Sequence, residues 1–103
     1  DAVILANHAG DHFIYPDCRP EFIDGMAEAI MRGTINNVIL LSPFCNMTKG
    51  DIVRIGSKLG VEFENTWSCY KGGVTHCGKC GTCDERKKAF LEAKVVDKTK
   101  YLA

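Results

Sequence analysis

Four cysteines fall as Cys69-x7-Cys77-x2-Cys80-x2-Cys83, and no other feature of the sequence narrows its chemistry as far. Glycines interspersed among them let the backbone turn tightly, so that four sulfurs can converge on one tetrahedral centre. The spacing predicts a structural zinc site on Cys69, Cys77, Cys80 and Cys83. Two rivals share parts of the pattern. Disulfide pairing suits small secreted domains with an even cysteine count, but residues 1–10 show no basic region, no long apolar segment and no cleavage-site pattern, and two-residue gaps favour a shared metal. Iron–sulfur runs also repeat such gaps, although Asp84 rather than a proline follows the last cysteine here. Four thiolates fill a tetrahedral shell and leave no position for an activated water, so the metal is expected to staple rather than catalyse. For the same reason His76 is expected to be a solvated loop residue.

The rest of the sequence describes one small α/β domain. Thirteen basic residues balance thirteen acidic ones, so net charge indicates no attraction to nucleic acid or to an anionic membrane. The cluster Arg86, Lys87, Lys88 reads as a solvated helix face. No apolar run approaches the roughly 20 residues needed to cross a bilayer, and a soluble, cytoplasmic protein is expected.

Ala2 to Ala6, reading AVILA, predicts a strand buried on both faces. A polar loop, Asn7 to Arg19, follows. Pro20 suits a first helical position, and Phe22, Ile23, Met26, Ala27 and Ile30 recur at helical spacing until Gly33 supplies a stop. Val38 to Leu41 predicts a second buried strand, and strand–helix–strand in this length implies a parallel crossover. Thr48 with Asp51 resembles a capping box before a helix lined by Ile52, Val53, Ile55 and Leu59 that ends at Gly60. A short extended piece is expected at Val61 to Phe63, then a helix opened by Thr82 and Glu85 with Ala89, Phe90 and Ala93 inside. The stretch from Lys94 to Ala103 carries weak signals.

Two or three parallel strands make too small a sheet to be covered on both faces. The chain is therefore expected to be part of a larger doubly wound domain or to complete its sheet with a partner. An exposed sheet edge also suggests association into a homodimer. In open parallel sheets ligands collect beyond the carboxyl ends of the strands, which here carry His8, Asp11, His12, Tyr15, Asp17, Cys18 and Arg19 in one loop and Ser42, Asn46, Thr48 and Lys49 in the next. Lys49 at a helix start is a candidate phosphate anchor.

The segment Tyr15-Pro16-Asp17-Cys18-Arg19-Pro20-Glu21-Phe22-Ile23, together with Pro43, Lys49, Thr66-Trp67-Ser68-Cys69-Tyr70 and the cysteine run, resembles the 7-cyano-7-deazaguanine synthase family of queuosine biosynthesis. The likeness covers about Asn7 to Arg86. It implies an open parallel sheet with helices on both faces, of the adenine nucleotide alpha-hydrolase type. It also implies an ATP-dependent ligase that converts 7-carboxy-7-deazaguanine and ammonia, through an adenylated acid and an amide, into the nitrile, with ATP and magnesium as cofactors of the full-length enzyme. The family's pyrophosphate-binding Ser-Gly-Gly-x-Asp-Ser loop is absent from this sequence, so residues 1–103 are expected to be the carboxyl-terminal portion of one synthase domain and inactive alone.

Carried over residue by residue, the resemblance makes Cys69, Cys77, Cys80 and Cys83 the zinc ligands. It places Asp11, Tyr15, Asp17, Cys18 and Arg19 on the deazapurine, and gives Lys49 a catalytic and nucleotide-binding role. A thioester at Cys18 stands against a plain packing role, and the same holds for Cys45. Competing functions are a self-contained zinc module that does no chemistry and a related ATP-dependent enzyme acting on another acid.

Overall fold

The structure, a computed structural model, describes residues 1–103 and divides into two compact units, Asp1–Thr48 and Lys49–Ala103. In the first, strands β1 (Ala2–Ile4) and β2 (Ile39–Leu41) flank helix α1 (Pro20–Gly33). The strands pair in parallel with Ala2 opposite Ile39, Val3 opposite Leu40 and Ile4 opposite Leu41, and Leu5 N–H extends the ladder to the Leu41 carbonyl at 2.9 Å. The predicted parallel crossover is thus present.

Helix α1 starts with Pro20 at its first position after an extended Arg19, where proline's missing N–H costs nothing and its φ is already helical. Glu21 in the first turn and Arg32 in the last complement the helix dipole. At its end the Thr34 hydroxyl donates to the Ile30 carbonyl and accepts from Val38 N–H, both at 2.9 Å, so one side chain closes the helix and launches β2. The face of α1 carrying Ile23, Ala27 and Ile30 packs with Leu40, Cys45 and Leu5. Burying such an aliphatic side chain contributes about 1.5–3 kcal/mol.

The predicted burial of both strand faces is not observed. Because paired residues in a parallel ladder share a face, Leu40 points to α1 and is buried, whereas Ile4, Ile39 and Leu41 point the other way and are 66%, 54% and 45% exposed. Only one helix is available within this unit to cover a two-stranded sheet.

In the second unit, helices α2 (Lys49–Lys58) and α3 (Gly81–Ala93) share a core of Val53, Ala89, Phe90 and Ala93, with Phe63 and Val95 packed against it. Phe63 meets Phe90 edge-on at 5.1 Å, a geometry favoured by the ring quadrupoles. Gly60, at φ +78°, ends α2 as expected: Val61 N–H returns to the Gly56 carbonyl at 2.9 Å, the closing bond of a Schellman turn. Lys94 does the same for α3 in the left-handed region at φ +55°.

Two local expectations are corrected. Residues Phe63–Asn65 form a 3-10 turn rather than an extended piece, because Phe63 folds inward onto Phe90. Helix α3 begins at Gly81 with Cys80 at its N-cap and no side-chain cap, so Thr82 is not the cap. Its hydroxyl lies 3.2 Å from the Cys80 sulfur instead. No helix is long and apolar enough to cross a membrane.

Candidate metal centre and strand-end loops

Cys69, Cys77, Cys80 and Cys83 bring their sulfurs within 4.8 Å of one another. Zinc–sulfur bonds of about 2.3 Å in a tetrahedron require sulfurs about 3.8 Å apart, and Cys80 Sγ lies 3.9 Å from Cys69 Sγ. All six cysteines are unpaired, and this separation is far beyond the ~2.05 Å of a disulfide. The donor set and its spacing therefore fit a divalent metal such as zinc.

The sulfurs converge because the local backbone bends around them. Gly78, at φ +77°, turns the chain between Cys77 and Cys80, so that Lys79 and Cys80 N–H groups point at Cys77 Sγ at 3.4 and 3.2 Å. Cys77 N–H points at Cys69 Sγ at 3.4 Å. These donors favour thiolate over thiol: Cys77 is shifted down by the Lys79 and Cys80 amides. The Thr82 hydroxyl, with backbone N–H help, pulls Cys80 down to about 5. Cys83 is completely buried, and burial pushes it up to about 12. A bound dication deprotonates its thiol ligands outright, so of the four sulfurs that of Cys83 is the one whose ionisation would depend most on a bound metal.

His76 is corrected from a solvated loop residue to a buried one, 4% exposed. Its ring stacks on Trp67 with centroids 4.2 Å apart, and Nε2 accepts from Ser68 N–H at 3.2 Å. It braces the segment before Cys69 against the one before Cys77. Arg86 and Lys87 are likewise half-buried and bonded, while Lys88 alone of that cluster stays on the solvated face in an exposed pair with Asp84. Sequence spacing could not reveal these roles, since they depend on non-local partners.

In the first unit, the loops after β1 and β2 are knitted together at the strands' carboxyl ends. Ala9 N–H donates to the Met47 carbonyl at 2.8 Å, His12 Nε2 lies 3.0 Å from the Cys45 carbonyl, and the Ser42 hydroxyl donates to Asn7 Oδ1. Asn7 in turn donates to the Cys18 carbonyl at 3.2 Å. Asn7 and Ser42 thus set the loop geometry.

Among the predicted substrate residues, Asp11 sits 3.1 Å from Nε2 of the buried His8. Arg19 Nε donates to the His12 carbonyl at 2.8 Å. Tyr15 and Asp17 project into solvent from the same loop. His12, Phe13, Arg19 and Glu21 line an open hollow of about 360 Å³. Burial, and then the charges of Asp17 and Asp11, push the Cys18 thiol up, the opposite of what an activated nucleophile requires. Cys45 is buried and packs in the core. Lys49 opens α2 in the second unit and pairs with Glu85 of α3.

The family described as Queuosine biosynthesis protein QueC matches residues 1–94. Proteins named 7-cyano-7-deazaguanine synthase are close in sequence. That of Porphyromonas gingivalis ATCC 33277 is 56% identical over 99 residues, covering 96% of this chain and 45% of the relative. That of Allorhizobium ampelinum is 56% identical over 103 residues, covering 98% and 44%, and that of Desulfotalea psychrophila 53% over 100 residues, covering 97% and 46%. The chain thus spans somewhat less than half the length of these curated relatives. With nearly all of its residues inside the family match and its four thiolates converging on one centre, the chain belongs to the QueC family of queuosine biosynthesis.

Proposed function

We propose that the chain forms part of an ATP-dependent carbon–nitrogen ligase that converts 7-carboxy-7-deazaguanine and ammonia into 7-cyano-7-deazaguanine. Its parallel β1–β2 pair belongs, in this reading, to a larger open sheet of the adenine nucleotide alpha-hydrolase type with helices on both faces. Family membership supports the reading, and the observation that carries it is the loop of Asp11, Tyr15, Asp17, Cys18 and Arg19 at the carboxyl end of β1, where parallel sheets place their ligands.

The reaction first transfers adenylyl from ATP to the substrate carboxylate and releases pyrophosphate. Ammonia then displaces AMP to give the amide, a second ATP adenylylates the amide oxygen with release of pyrophosphate, and AMP leaves carrying that oxygen as nitrogen loses its remaining protons and the nitrile forms. ATP and magnesium enter as substrate and counter-ion of those steps. The exposed Asp17 carboxylate offers two oxygens to two adjacent donors of a guanine-like edge. Asp11, held by His8, and Arg19, held by the His12 carbonyl, enter the site already oriented. Lys49, at the start of α2, supplies positive charge where negative charge develops on the phosphates.

The four thiolates hold a structural zinc. It leaves no open coordination position and so takes no part in the ligation. A reduced, cytoplasmic setting suits such a site, because thiols there remain unpaired.

The test is ATP-dependent nitrile formation from 7-carboxy-7-deazaguanine by the full-length protein, with residues 1–103 alone as the inactive control. Asp17→Asn in the full-length protein is expected to weaken binding of the deazapurine far more than binding of ATP. Equal losses for both would refute the assignment.

A further inference from the structure

The segment Asp97–Ala103 lies outside the family match, which ends at residue 94, yet it is bonded to the metal loop at several points. Tyr101 forms a parallel bridge with His76, and Leu102 N–H donates to the His76 carbonyl at 2.9 Å. His76 immediately precedes the ligand Cys77. The Tyr101 ring meets the His76 ring edge-on at 5.8 Å, and Lys87 Nζ lies 4.5 Å from the Tyr101 ring centre. The same ammonium donates to the carbonyls of Gly78, one residue beyond Cys77, at 2.9 Å and of Ala103 at 3.3 Å. One cation on α3 therefore holds the ligand loop and the segment together.

The other end of the segment is anchored by a second set of bonds. Asp97 accepts from the Tyr101 hydroxyl at 2.6 Å and from Thr99 N–H at 2.9 Å, which closes the segment into a tight loop. The Thr99 hydroxyl accepts from Arg86 Nε at 2.9 Å. Arg86 also donates, through its terminal nitrogen, to the Phe63 carbonyl and to the Thr66 hydroxyl at 2.8 Å each, just ahead of the first ligand, Cys69. Aliphatic burial does not explain this docking, because Leu102 remains 75% exposed. The bonds are instead directed at the two stretches that carry Cys69 and Cys77.

We propose that Asp97–Ala103 is a strap that positions the metal loop, with Tyr101 as its positioning residue and Asp97 and Arg86 as its anchors, so that it retards release of the metal. Four-sulfur sites with short ligand loops lose their metal when one ligand arm swings away. A brace on the residues adjoining Cys77 and Cys69 opposes that first opening. Partners outside the ligand shell commonly change metal affinity by 10–100-fold.

The inference rests on the proposed zinc occupancy, and the experiment separates the two. Zinc-loaded protein is mixed with a chromophoric chelator and the rate of metal transfer is followed, with the visible spectrum of the cobalt-substituted protein as a report on ligand geometry. Tyr101→Ala and Asp97→Ala are expected to release zinc about tenfold faster and to shift the cobalt bands. Tyr101→Phe, which keeps the ring but loses the bond to Asp97, should fall between them and the parent. Leu102→Ala, at an exposed side chain, should match the parent. Should Tyr101→Ala fail to fold, Tyr101→Phe decides the matter. Release at the parental rate from Tyr101→Phe and from any folded Tyr101→Ala would overturn the strap while leaving the zinc site intact. A parent protein that takes up no zinc would overturn both.

Discussion

Lys49 Nζ pairs with the Glu85 carboxylate, tying the first turn of α2 to the first turns of α3. Both side chains are more than a third exposed, so solvent screens the pair and its contribution to stability is under about 1 kcal/mol. Glu85 instead holds the long lysine chain in one place. In the full-length enzyme, Lys49→Ala is expected to cut turnover by at least a hundredfold with little change in melting temperature. A variant that turns over normally removes Lys49 from the chemistry. Glu85→Gln should melt within a few degrees of the parent.

The four-sulfur cluster makes a stoichiometric claim. Metal analysis of the purified chain is expected to give one zinc per molecule, and Cys83→Ala should lose it. Cys83 is the most demanding position because it is fully buried and lies in the first turn of α3. Chelation of the parent should loosen the amino-terminal end of α3, read as faster amide exchange there. Retained zinc in the alanine variant would remove Cys83 from the ligand set.

Gly78 has no room for a side chain. Its φ of +77° disfavours one, and an added Cβ would run into the backbone carbonyl of Ala103, displacing the end of the segment from the loop. Gly78→Ala is expected to destabilise the second unit by more than the ~1–2 kcal/mol of left-handed strain alone, measured by urea unfolding. A cost below 1 kcal/mol would mean that the segment and the loop separate easily.

The reverse change suits Lys94. It caps α3 in the left-handed region at φ +55°, a conformation glycine adopts without a Cβ penalty. Lys94→Gly should raise stability by up to about 1 kcal/mol, visible as a melting temperature a few degrees higher. A lower melting temperature would show that the lysine side chain contributes more than its backbone costs.

The Asp97–Tyr101 bond gives the strap an acid and an alkaline limit. Burial works to raise the Asp97 carboxyl, but bonds from the Thr99 and Tyr101 hydroxyls and the charge of Arg86 outweigh it and hold it below its ordinary 3.8. A carboxyl lowered on folding stabilises the native state above its unfolded value and loses that contribution as pH falls through its native value. Burial and the Asp97 bond raise Tyr101 from 10.0 to about 12, so its contribution is complete below pH 10 and fades as pH rises toward 12. The melting-temperature difference between parent and Asp97→Asn should therefore persist at neutrality, shrink as pH falls below 3.8 and vanish only once pH has passed below the native carboxyl's own lower value. A difference independent of pH would contradict the linkage.

Much of the molecule is written in local pattern. Pro20 and Gly33 bracket α1 as expected, and the two short apolar runs become strands in parallel, because proline's fixed φ, 3.6-residue periodicity and β-branched runs act over a few neighbours. The glycine-punctuated cysteine spacing likewise foretells convergence of the sulfurs, since short loops bound how far apart the thiolates can lie. Burial of β1 does not follow from its composition, because an apolar run states only what would be favourable to cover. Whether a second layer exists depends on elements far away in sequence.

What the amino-acid order determined alone is the family, the α1 crossover and the convergence of the four cysteines, all properties of residues close together in the chain or of their spacing. Tertiary structure decided that His76 is a buried brace, that Lys49 faces Glu85, and that Asp97, Thr99 and Tyr101 reach Arg86, Lys87 and the metal loop. These contacts join residues 8 to 36 positions apart, and only the folded chain brings such separated groups close enough to offset the water each gives up.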